Sequence, residues 1–295
     1  MTELETPAHE FLTVRELAEL LRLKERKVYD LAASGEVPCS RATGKLLFPA
    51  AEVRAWIDRA KSGGPLKSPA RPPILLGSHD PLLDWAIRES RCGLATYFDG
   101  SLDGLDRFAR NDGVATGMHI YDARSGVWNV PAVARAAAEQ NAVLVAFARR
   151  QRGLVFRPDG PRPARLADIA GLRMTPRQEE SGTAGLFDAL AAESGLDLSA
   201  VTVTAAARTE DDAVETVRRG TADVTFGLEA VARRFGLDFA PVIEEEFALL
   251  VDRKAWFEPP FQAFLAFCGS DAFRAQAESY GGYDVAALGT VAWNA

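Results

Sequence analysis

Apolar and polar residues alternate with two different periods along the chain. Over residues 11–59, apolar positions recur every three or four residues, which predicts three short helices, over about 14–21, over 24–33 and from Pro49 onward. Thr13 precedes the first helix with Glu16 three residues later, the pattern of a capping box. Residues 40–48 lie between the second and third helices and predict a small hairpin that turns at Gly44.

From Ile74 onward, short apolar strands alternate with helical segments, and several strands are followed by a Gly/Ser pair. Such alternation predicts an α/β fold with a largely parallel sheet, in which ligands bind beyond the carboxyl ends of the strands. Two charged stretches interrupt the apolar pattern. Arg149–Arg152 is predicted as a turn between strands 143–148 and 153–156, and Glu244–Glu246 as a solvated turn between strands 239–243 and 246–251.

Charge is distributed unevenly over the 295 residues. Residues 11–64 carry ten Lys/Arg and seven Asp/Glu, whereas residues 65–295 carry 24 Lys/Arg and 31 Asp/Glu. A basic head on an acidic body indicates two separate tasks. The first residues lack the pattern of a secretory signal, and no apolar run is long enough to cross a membrane, so we expect a cytoplasmic protein without a membrane partner. The isolated cysteines predict neither disulfides nor a metal site.

The segment from Thr175 to Asp188 is the strongest candidate for a binding site in the body. Ser181 is suited to cap a helix, Gly182 allows close approach to a guest, and Thr183 adds a hydroxyl in the first turn. Arg177 lies four residues upstream of Ser181. Free N–H groups, hydroxyls and a guanidinium together suit a small anion. Two further serines, at 78 and 101, are predicted at other helix starts that would converge on the same place.

The head resembles the excisionase-type helix-turn-helix, a relative of the MerR head. The resemblance covers residues 11–59 and is carried by LTVRELAELL, by KVYDLAASGEVP and by the Phe-Pro step before the last helix. It implies a winged helix-turn-helix whose second helix enters the major groove of double-stranded DNA. The residues implied to face DNA are Lys24, Arg26, Lys27 and Tyr29 on the helix, and Arg41 and Lys45 on the wing.

The body, over residues 74–288, resembles a type II periplasmic-binding-protein-like domain with two lobes and two crossovers. The motifs are GSHDPLLDWA, GSLDGLDRF, GMHIYDARSGVWNVP, RQEESGT, GTADVTFGLEAVARRFGLDFAPV and SYGGYDV. Its secreted relatives are similar to tungstate/molybdate-binding proteins. The resemblance implies a ligand site formed by Ser78, Ser101, His119, Arg177, Ser181 and Thr183. Glu179 and Glu180 depart from the family pattern and argue against a bare oxyanion unless they point outward or pair with arginines.

These observations predict a DNA-binding domain over residues 1–60, a Gly/Pro-rich linker over 61–73 and a ligand-sensing domain over 74–295. Lobe I is expected over about 74–121 and 228–295, and lobe II over about 122–227. We expect a homodimeric one-component transcription regulator without a cofactor, whose effector is a small anion, molybdate or tungstate first. A molybdenum cofactor or a small organic acid is the alternative effector. A ligand-independent architectural DNA-binding protein and an enzyme acting on a small acid are the alternative functions, although no catalytic motif is present.

Overall fold

The computed structural model describes residues 10–41, 44–60, 70–179 and 181–295. The chain forms two compact units that meet in sequence between Ala70 and Arg71. Most of the predicted linker (61–69), the tip of the predicted hairpin (42–43) and Glu180 lie outside the described residues. Among the helices of the described part, none is long and apolar enough to cross a lipid bilayer.

The head is a three-helix unit closed by a short strand pair. Its elements are β1 (Phe11–Leu12), α1 (Val14–Leu21), α2 (Glu25–Ala33), β2 (Phe48–Pro49) and α3 (Ala50–Arg59). The predicted capping box is present, because the Thr13 hydroxyl accepts from the Glu16 N–H and the Glu16 carboxylate accepts from the Thr13 N–H. The base of the predicted hairpin is present as an antiparallel bridge between Ser40 and Leu47.

The head has a core of its own, which requires all three helices. Leu17 of α1, Val28 of α2 and Val53 of α3 are fully buried, together with Phe48 of β2. The three-to-four-residue spacing of these positions places one apolar stripe of each helix against the others. The charged residues between them are thereby left on the outside of the unit.

The body is built from strands and helices in mostly alternating order. Its strands are β3 (Ile74–Gly77), β4 (Ala95–Phe98), β5 (Ala115–Met118), β6 (Tyr121–Asp122), β7 (Val127–Trp128), β8 (Ala142–Phe156), β9 (Arg173–Thr175), β10 (Thr202–Val203), β11 (Val224–Leu228), β12 (Asp238–Asp252), β13 (Tyr283–Asp284) and β14 (Val291–Asn294). Its helices are α4 (Pro81–Ser90), α5 (Ser101–Ala109), α6 (Val130–Ala136), α7 (Gly182–Ser194), α8 (Glu210–Arg218), α9 (Glu229–Arg234), α10 (Arg253–Trp256), α11 (Pro259–Cys268) and α12 (Asp271–Tyr280), with 3-10 turns at Leu166–Ile169 and Leu198–Ala200.

One curled sheet runs through the whole body in the order β10-β9-β11-β8-β12-β5-β3-β4. Strands β3, β4 and β5 are parallel and belong to the first lobe, and β9, β10 and β11 are parallel and belong to the second. The long strands β8 and β12 pair antiparallel over almost their entire length and connect the two lobes. The two-lobed α/β architecture with two crossovers expected from the sequence is therefore confirmed.

The two predicted turns in the crossover strands are wrong. Arg149–Arg152 lies inside the continuous strand β8, and Glu244–Glu246 lies inside β12, directly opposite it. The register between the strands shifts by one residue at two places, between Pro241 and Ile243 and between Phe247 and Ala248. Charged residues are tolerated within these strands because successive side chains point to opposite faces and the buried ones find partners of opposite charge.

Each lobe has apolar layers on both faces of the sheet. In the first lobe, α4, α11 and α12 cover one face with Leu83, Phe264 and Phe273, and α5 and α6 cover the other. In the second lobe, α7 packs on one face through Leu186 and α8 packs on the other through Val214. These layers hold the loops that follow β3, β5 and β9 at the boundary between the lobes.

The close contact of α5 with β3 depends on a glycine in the helix. A Cβ added to Gly104 would lie 2.2 Å from the Cα atom of Gly77, so the backbone would have to shift. A Cβ added to Gly185 of α7 would have no heavy atom within 4 Å.

We predict that Gly104→Ala destabilises the body, whereas Gly185→Ala stabilises it by about 0.5–1 kcal/mol through helix propensity. Urea unfolding of the two variants checks this, and equal stability of both would contradict it.

Candidate functional site

The residues predicted in the first lobe meet around His119. The Ser78 hydroxyl lies 3.1 Å from Nε2 of His119, and the backbone N–H of His119 donates to the Ser101 hydroxyl at 3.2 Å. All three residues are buried. Ser101 begins α5 as predicted. Ser78 does not cap α4, however, because Asp80 holds that position and its carboxylate accepts from the Leu83 N–H at 2.7 Å.

His119 is held in one orientation from both sides of its ring. Nδ1 lies 3.0 Å from the Glu245 carboxylate, and Nε2 faces the Ser78 hydroxyl. Burial lowers the pKa of His119 below its ordinary value despite the attraction of Glu245. Burial therefore favours the neutral ring, and a proton on Nδ1, beside the Glu245 carboxylate, leaves Nε2 to accept from Ser78.

The start of α7 in the second lobe lies against the same place. Ser181 caps α7 as predicted, because its hydroxyl accepts from the Ala184 N–H at 3.1 Å. A Cβ on Gly182 would lie 2.6 Å from the carbonyl oxygen of His119 and 3.1 Å from the Ser101 hydroxyl. Only a glycine allows this approach. The starts of α5 and α7 therefore meet across a closed interlobe boundary.

Arg177 and Thr183 already hold an anion, and that anion belongs to the chain. Nη1 of Arg177 lies 2.8 Å from Oε1 of Glu210, and the Thr183 hydroxyl donates to the same oxygen at 3.2 Å. Nε and Nη2 of Arg177 donate to the carbonyl oxygens of Ala207 and Arg208 at 3.2 and 2.8 Å. The guanidinium is therefore fully engaged by lobe II itself.

The crossover strands supply the residues that the sequence analysis missed. Arg152 of β8 donates to Glu245 at 2.8 Å and to Glu210 at 2.9 Å. Arg150 pairs with Glu245 and, at 2.8 Å, with Asp80. Both arginines and all three carboxylates are at least 97% buried. Together they form a continuous chain of alternating charges from the start of α4, across the crossover strands, to the start of α8.

Two aromatic residues contact the Asp80–Arg150 pair. The Tyr283 hydroxyl donates to Asp80 at 2.6 Å, and the Arg150 guanidinium lies 4.3 Å above the centre of the Phe247 ring. Burial and the neighbouring carboxylate raise the pKa of Tyr283 well above its ordinary value, so its hydroxyl remains a donor. The cation over the ring face adds a further favourable contact for the buried guanidinium.

The buried charges of this network, hereafter the charge chain, balance. Its members are Asp80, Arg150, Arg152, Arg177, Glu210 and Glu245, which contribute three positive and three negative charges. Burial raises the pKa of Glu210, but the guanidinium groups of Arg152 and Arg177 outweigh it and hold the pKa at about 2. Burial lowers the pKa of Arg152, but Glu210 and Glu245 raise it above its ordinary value. Glu210 and Arg152 are thus ionised at neutral pH.

A signal for the missed residues exists in the sequence. In Arg149-Arg150-Gln151-Arg152 and in Glu244-Glu245-Glu246, alternate residues point inward, so that Arg150, Arg152 and Glu245 are buried while Arg149, Glu244 and Glu246 are exposed or half-buried. Such alternation of buried and exposed positions has the period of a β-strand. The apolar pattern stops at both runs, and for this reason the sequence alone predicts turns there.

A pocket of about 270 Å³ adjoins the charge chain in the second lobe. It lies between the end of β9 and the first turns of α7, with an apolar floor that includes Met174, Phe187 and Phe226. Glu179 lies on its lining and is exposed. Arg177 and Thr183 line both this pocket and the anion position that Glu210 occupies.

The head exposes the residues that the helix-turn-helix resemblance assigns to DNA. Tyr29, Arg26 and Lys27 of α2 are exposed, as is Lys24 at its cap, and Arg41 and Lys45 at the predicted wing are exposed as well. Within the described part of the chain, the side chains of these residues form no ion pair. They are placed on the elements that the helix-turn-helix resemblance assigns to DNA.

Comparison with known proteins agrees with this architecture. The model of the PBP superfamily domain matches residues 85–269, and that of a helix-turn-helix domain matches residues 11–61. The chain belongs to the PBP superfamily. An uncharacterized protein of Bacillus subtilis, YvgK, is 23% identical over 299 residues, which cover 95% of this chain and 96% of YvgK. A helix-turn-helix joined to a PBP-like domain is the architecture of a ligand-responsive DNA-binding regulator.

Two solved structures share the fold of the body. A putative phosphate transporter substrate-binding protein with bound phosphate, from Clostridium perfringens, superposes with a TM-score of 0.53 at 10% identity, over 70% of this chain and 96% of that protein. The CcmR regulatory domain in complex with 2-PG, from Synechocystis PCC6803, gives a TM-score of 0.50 at 10% identity, over 66% of this chain and 93% of that domain. At such identities, the likeness concerns the fold alone.

We predict that Glu245→Gln destabilises the body by about 3–5 kcal/mol, because it leaves buried arginines without part of their counter-charge. The neighbouring Glu246→Gln is a matched control. Its side chain is half-exposed and pairs loosely with Arg149, so we expect a change below about 1 kcal/mol. Urea unfolding at pH 7 measures both values, and similar values for the two variants would contradict the prediction.

The ionised network also predicts a loss of stability in acid. Glu210 has a pKa of about 2 in the folded chain and an ordinary value of 4.5, so its contribution is complete above about pH 4.5 and is lost as the pH falls towards 2. His119, whose pKa is lowered, adds a loss that begins as the pH falls through its ordinary value of 6.5. Urea unfolding of wild type and Glu210→Gln between pH 7 and pH 3 checks this. The variant should lose less stability over that range.

Proposed function

We propose that this chain is a one-component transcription regulator that binds operator DNA through its head and a small anion between the lobes of its body. One observation supports the anion above all others. Arg177, Thr183 and Arg152 converge from two elements of the second lobe and from a crossover strand onto a single carboxylate oxygen. A cluster of two guanidinium groups and one hydroxyl is the donor set that an anionic group requires.

Two effector classes follow from this proposal. The resemblance to tungstate/molybdate-binding proteins makes molybdate and tungstate the first probes. The contacts of Glu210 favour a small organic acid, because the same donors already hold a carboxylate. A bare dianion is less well matched to the charge chain, in which three arginines are offset by three carboxylates, than a ligand that substitutes for one of those carboxylates.

Effector binding is proposed to act through the crossover strands. Arg150 and Arg152 of β8 and Glu245 of β12 contact charged groups of both lobes, so an effector that changes these pairs changes the preferred angle between the lobes. In a homodimer, a change in lobe angle alters the spacing of two heads on DNA. Effector and DNA would then be coupled reciprocally, as thermodynamic linkage requires.

A ligand screen tests the proposal directly. The thermal unfolding of the purified protein is measured with molybdate, tungstate, phosphate and a series of small mono- and dicarboxylic acids. Each compound is present at about 100 times a Kd of about 1 μM. A true effector stabilises the folded state by about 2.7 kcal/mol at that excess. The same compound should alter the affinity of the protein for its operator. Absence of stabilisation by every compound, with DNA binding unchanged, would favour the architectural alternative.

We predict that Arg177→Ala abolishes the effector-induced thermal shift while DNA affinity without effector is retained. Arg173→Ala is the control, because this arginine of β9 is half-exposed and pairs with Asp223 away from the charge chain. The converse variant, Lys27→Ala in the head, should weaken DNA binding and reduce its salt dependence by about one unit of slope, with the thermal shift intact. Isothermal titration and electrophoretic mobility measurements at several salt concentrations separate the two effects.

A further inference from the structure

Glu210 has surroundings that helix stability alone does not require. It is the first residue of α8, where Thr209 already provides the cap by accepting from the Asp212 N–H at 3.0 Å. Asp211 and Asp212 supply negative charge to the first turn from more exposed positions. The Glu210 side chain instead turns inward and is almost completely buried.

The two carboxylate oxygens of Glu210 differ in the number of their hydrogen-bond partners. Oε1 receives Arg177 at 2.8 Å, Arg152 at 2.9 Å and Thr183 at 3.2 Å. Oε2 is buried and has no hydrogen-bond partner among the described residues. One oxygen is thus saturated by donors and the other has none, although a buried polar atom without a partner is costly. The carboxylate occupies the donor cluster without using its full hydrogen-bonding capacity.

Resting on the proposed function, we propose that Glu210 is a resident anion that determines which effectors bind. Its carboxylate occupies the anion position on Arg177, Thr183 and Arg152, and an effector binds by exchanging its own carboxylate or oxyanion group for that of Glu210. Arg177, Thr183 and Glu210 all belong to the second lobe, so the exchange takes place on the second-lobe side of the site between the lobes. Arg152 lies on a crossover strand, so the exchange of its carboxylate partner changes an ion pair of the strands that connect the two lobes.

This arrangement selects effectors by their capacity to use the donors better than Glu210 does. A guest with only one weak anionic group gains nothing over the resident carboxylate. A guest that also satisfies further donors, or that extends into the adjoining pocket of about 270 Å³ lined by Arg177 and Thr183, displaces it. Removal of Glu210 should therefore broaden the range of anions that bind.

Chemical rescue tests the proposal with simple probes. Glu210→Ala removes the carboxylate and leaves space for a short acid, so sodium acetate or propionate should raise its melting temperature in a saturable manner, relative to sodium chloride at equal ionic strength. Wild type should show no such difference. Glu215→Ala is the control on the same helix, because Glu215 pairs on the surface with Arg218 and Arg219 and its loss opens no buried position.

A second pair of variants addresses the position of the rescued anion and the risk that Glu210→Ala does not fold. Arg177→Ala combined with Glu210→Ala should abolish rescue. Glu210→Gln keeps the shape of the side chain, and it should bind the anions of the ligand screen about tenfold or more tightly than wild type, because one buried negative charge is gone. Near-ultraviolet circular dichroism establishes that each variant is folded.

The outcomes separate the two proposals. A larger rise in melting temperature for Glu210→Ala than for wild type, which is lost in the double variant, supports the resident anion. Equal responses of wild type and Glu210→Ala, or unchanged affinity in Glu210→Gln, would overturn it even if wild type responds to an effector. Rescue of Glu210→Ala by propionate, together with operator binding that no anion alters, would overturn the proposed function while leaving the occupancy of the anion position by Glu210 established.

Discussion

The closed body depends on one constraint, the neutralisation of buried charge at the point where the two crossover strands pass between the lobes. Arg150 and Arg152 are held inside the molecule, and each has carboxylates from a different element within ion-pair distance. Isolated, such charges would cost several kcal/mol each, so the elements that carry their partners must assemble together. The starts of α4 and α8, the two long strands and the His119 loop are thereby tied to one geometry.

This constraint relates the fold to the proposed response. A bare charge in a low-dielectric interior cannot remain without a partner, so any guest that takes one arginine forces a carboxylate to find another partner or to reach water. In the proposed response, displacement of Glu210 would therefore change which charged residues pair along the network, and it would not deform the network gradually. The charged residues lie at the boundary between the lobes and belong to neither apolar core.

The sequence predicted the parts of the site that follow from local pattern. Ser78, Ser101, Ser181 and Thr183 were predicted at helix starts, with Arg177 just upstream of the last of these, and His119 followed from the family resemblance. The structure brings all six to the lobe boundary, although Asp80 and not Ser78 caps the first of these helices. Their roles as ligand contacts stay a prediction. What escaped recognition was non-local. Arg152 and Glu245 are 93 positions apart, and each interrupts an apolar pattern that, viewed alone, indicates a turn. Their pairing across β8 and β12 gives each buried charge a partner of opposite sign, and pairing between distant strands has no signature within a single short window.

The two register shifts in the crossover strands have a consequence for insertions and deletions. Between Ile243 and Phe247 the pairing of β12 with β8 is offset by one residue, and the offset is cancelled between Phe247 and Ala248. This offset places Glu245 opposite Arg150, where the flanking register would place it opposite Arg149, whose side chain is half-exposed. The shifts therefore form a compensating pair. Loss of one residue at either shift would leave the offset uncancelled up to the end of the paired strands. Side chains that point inward there would then point outward. The lengths of these two segments of the chain can therefore change only together.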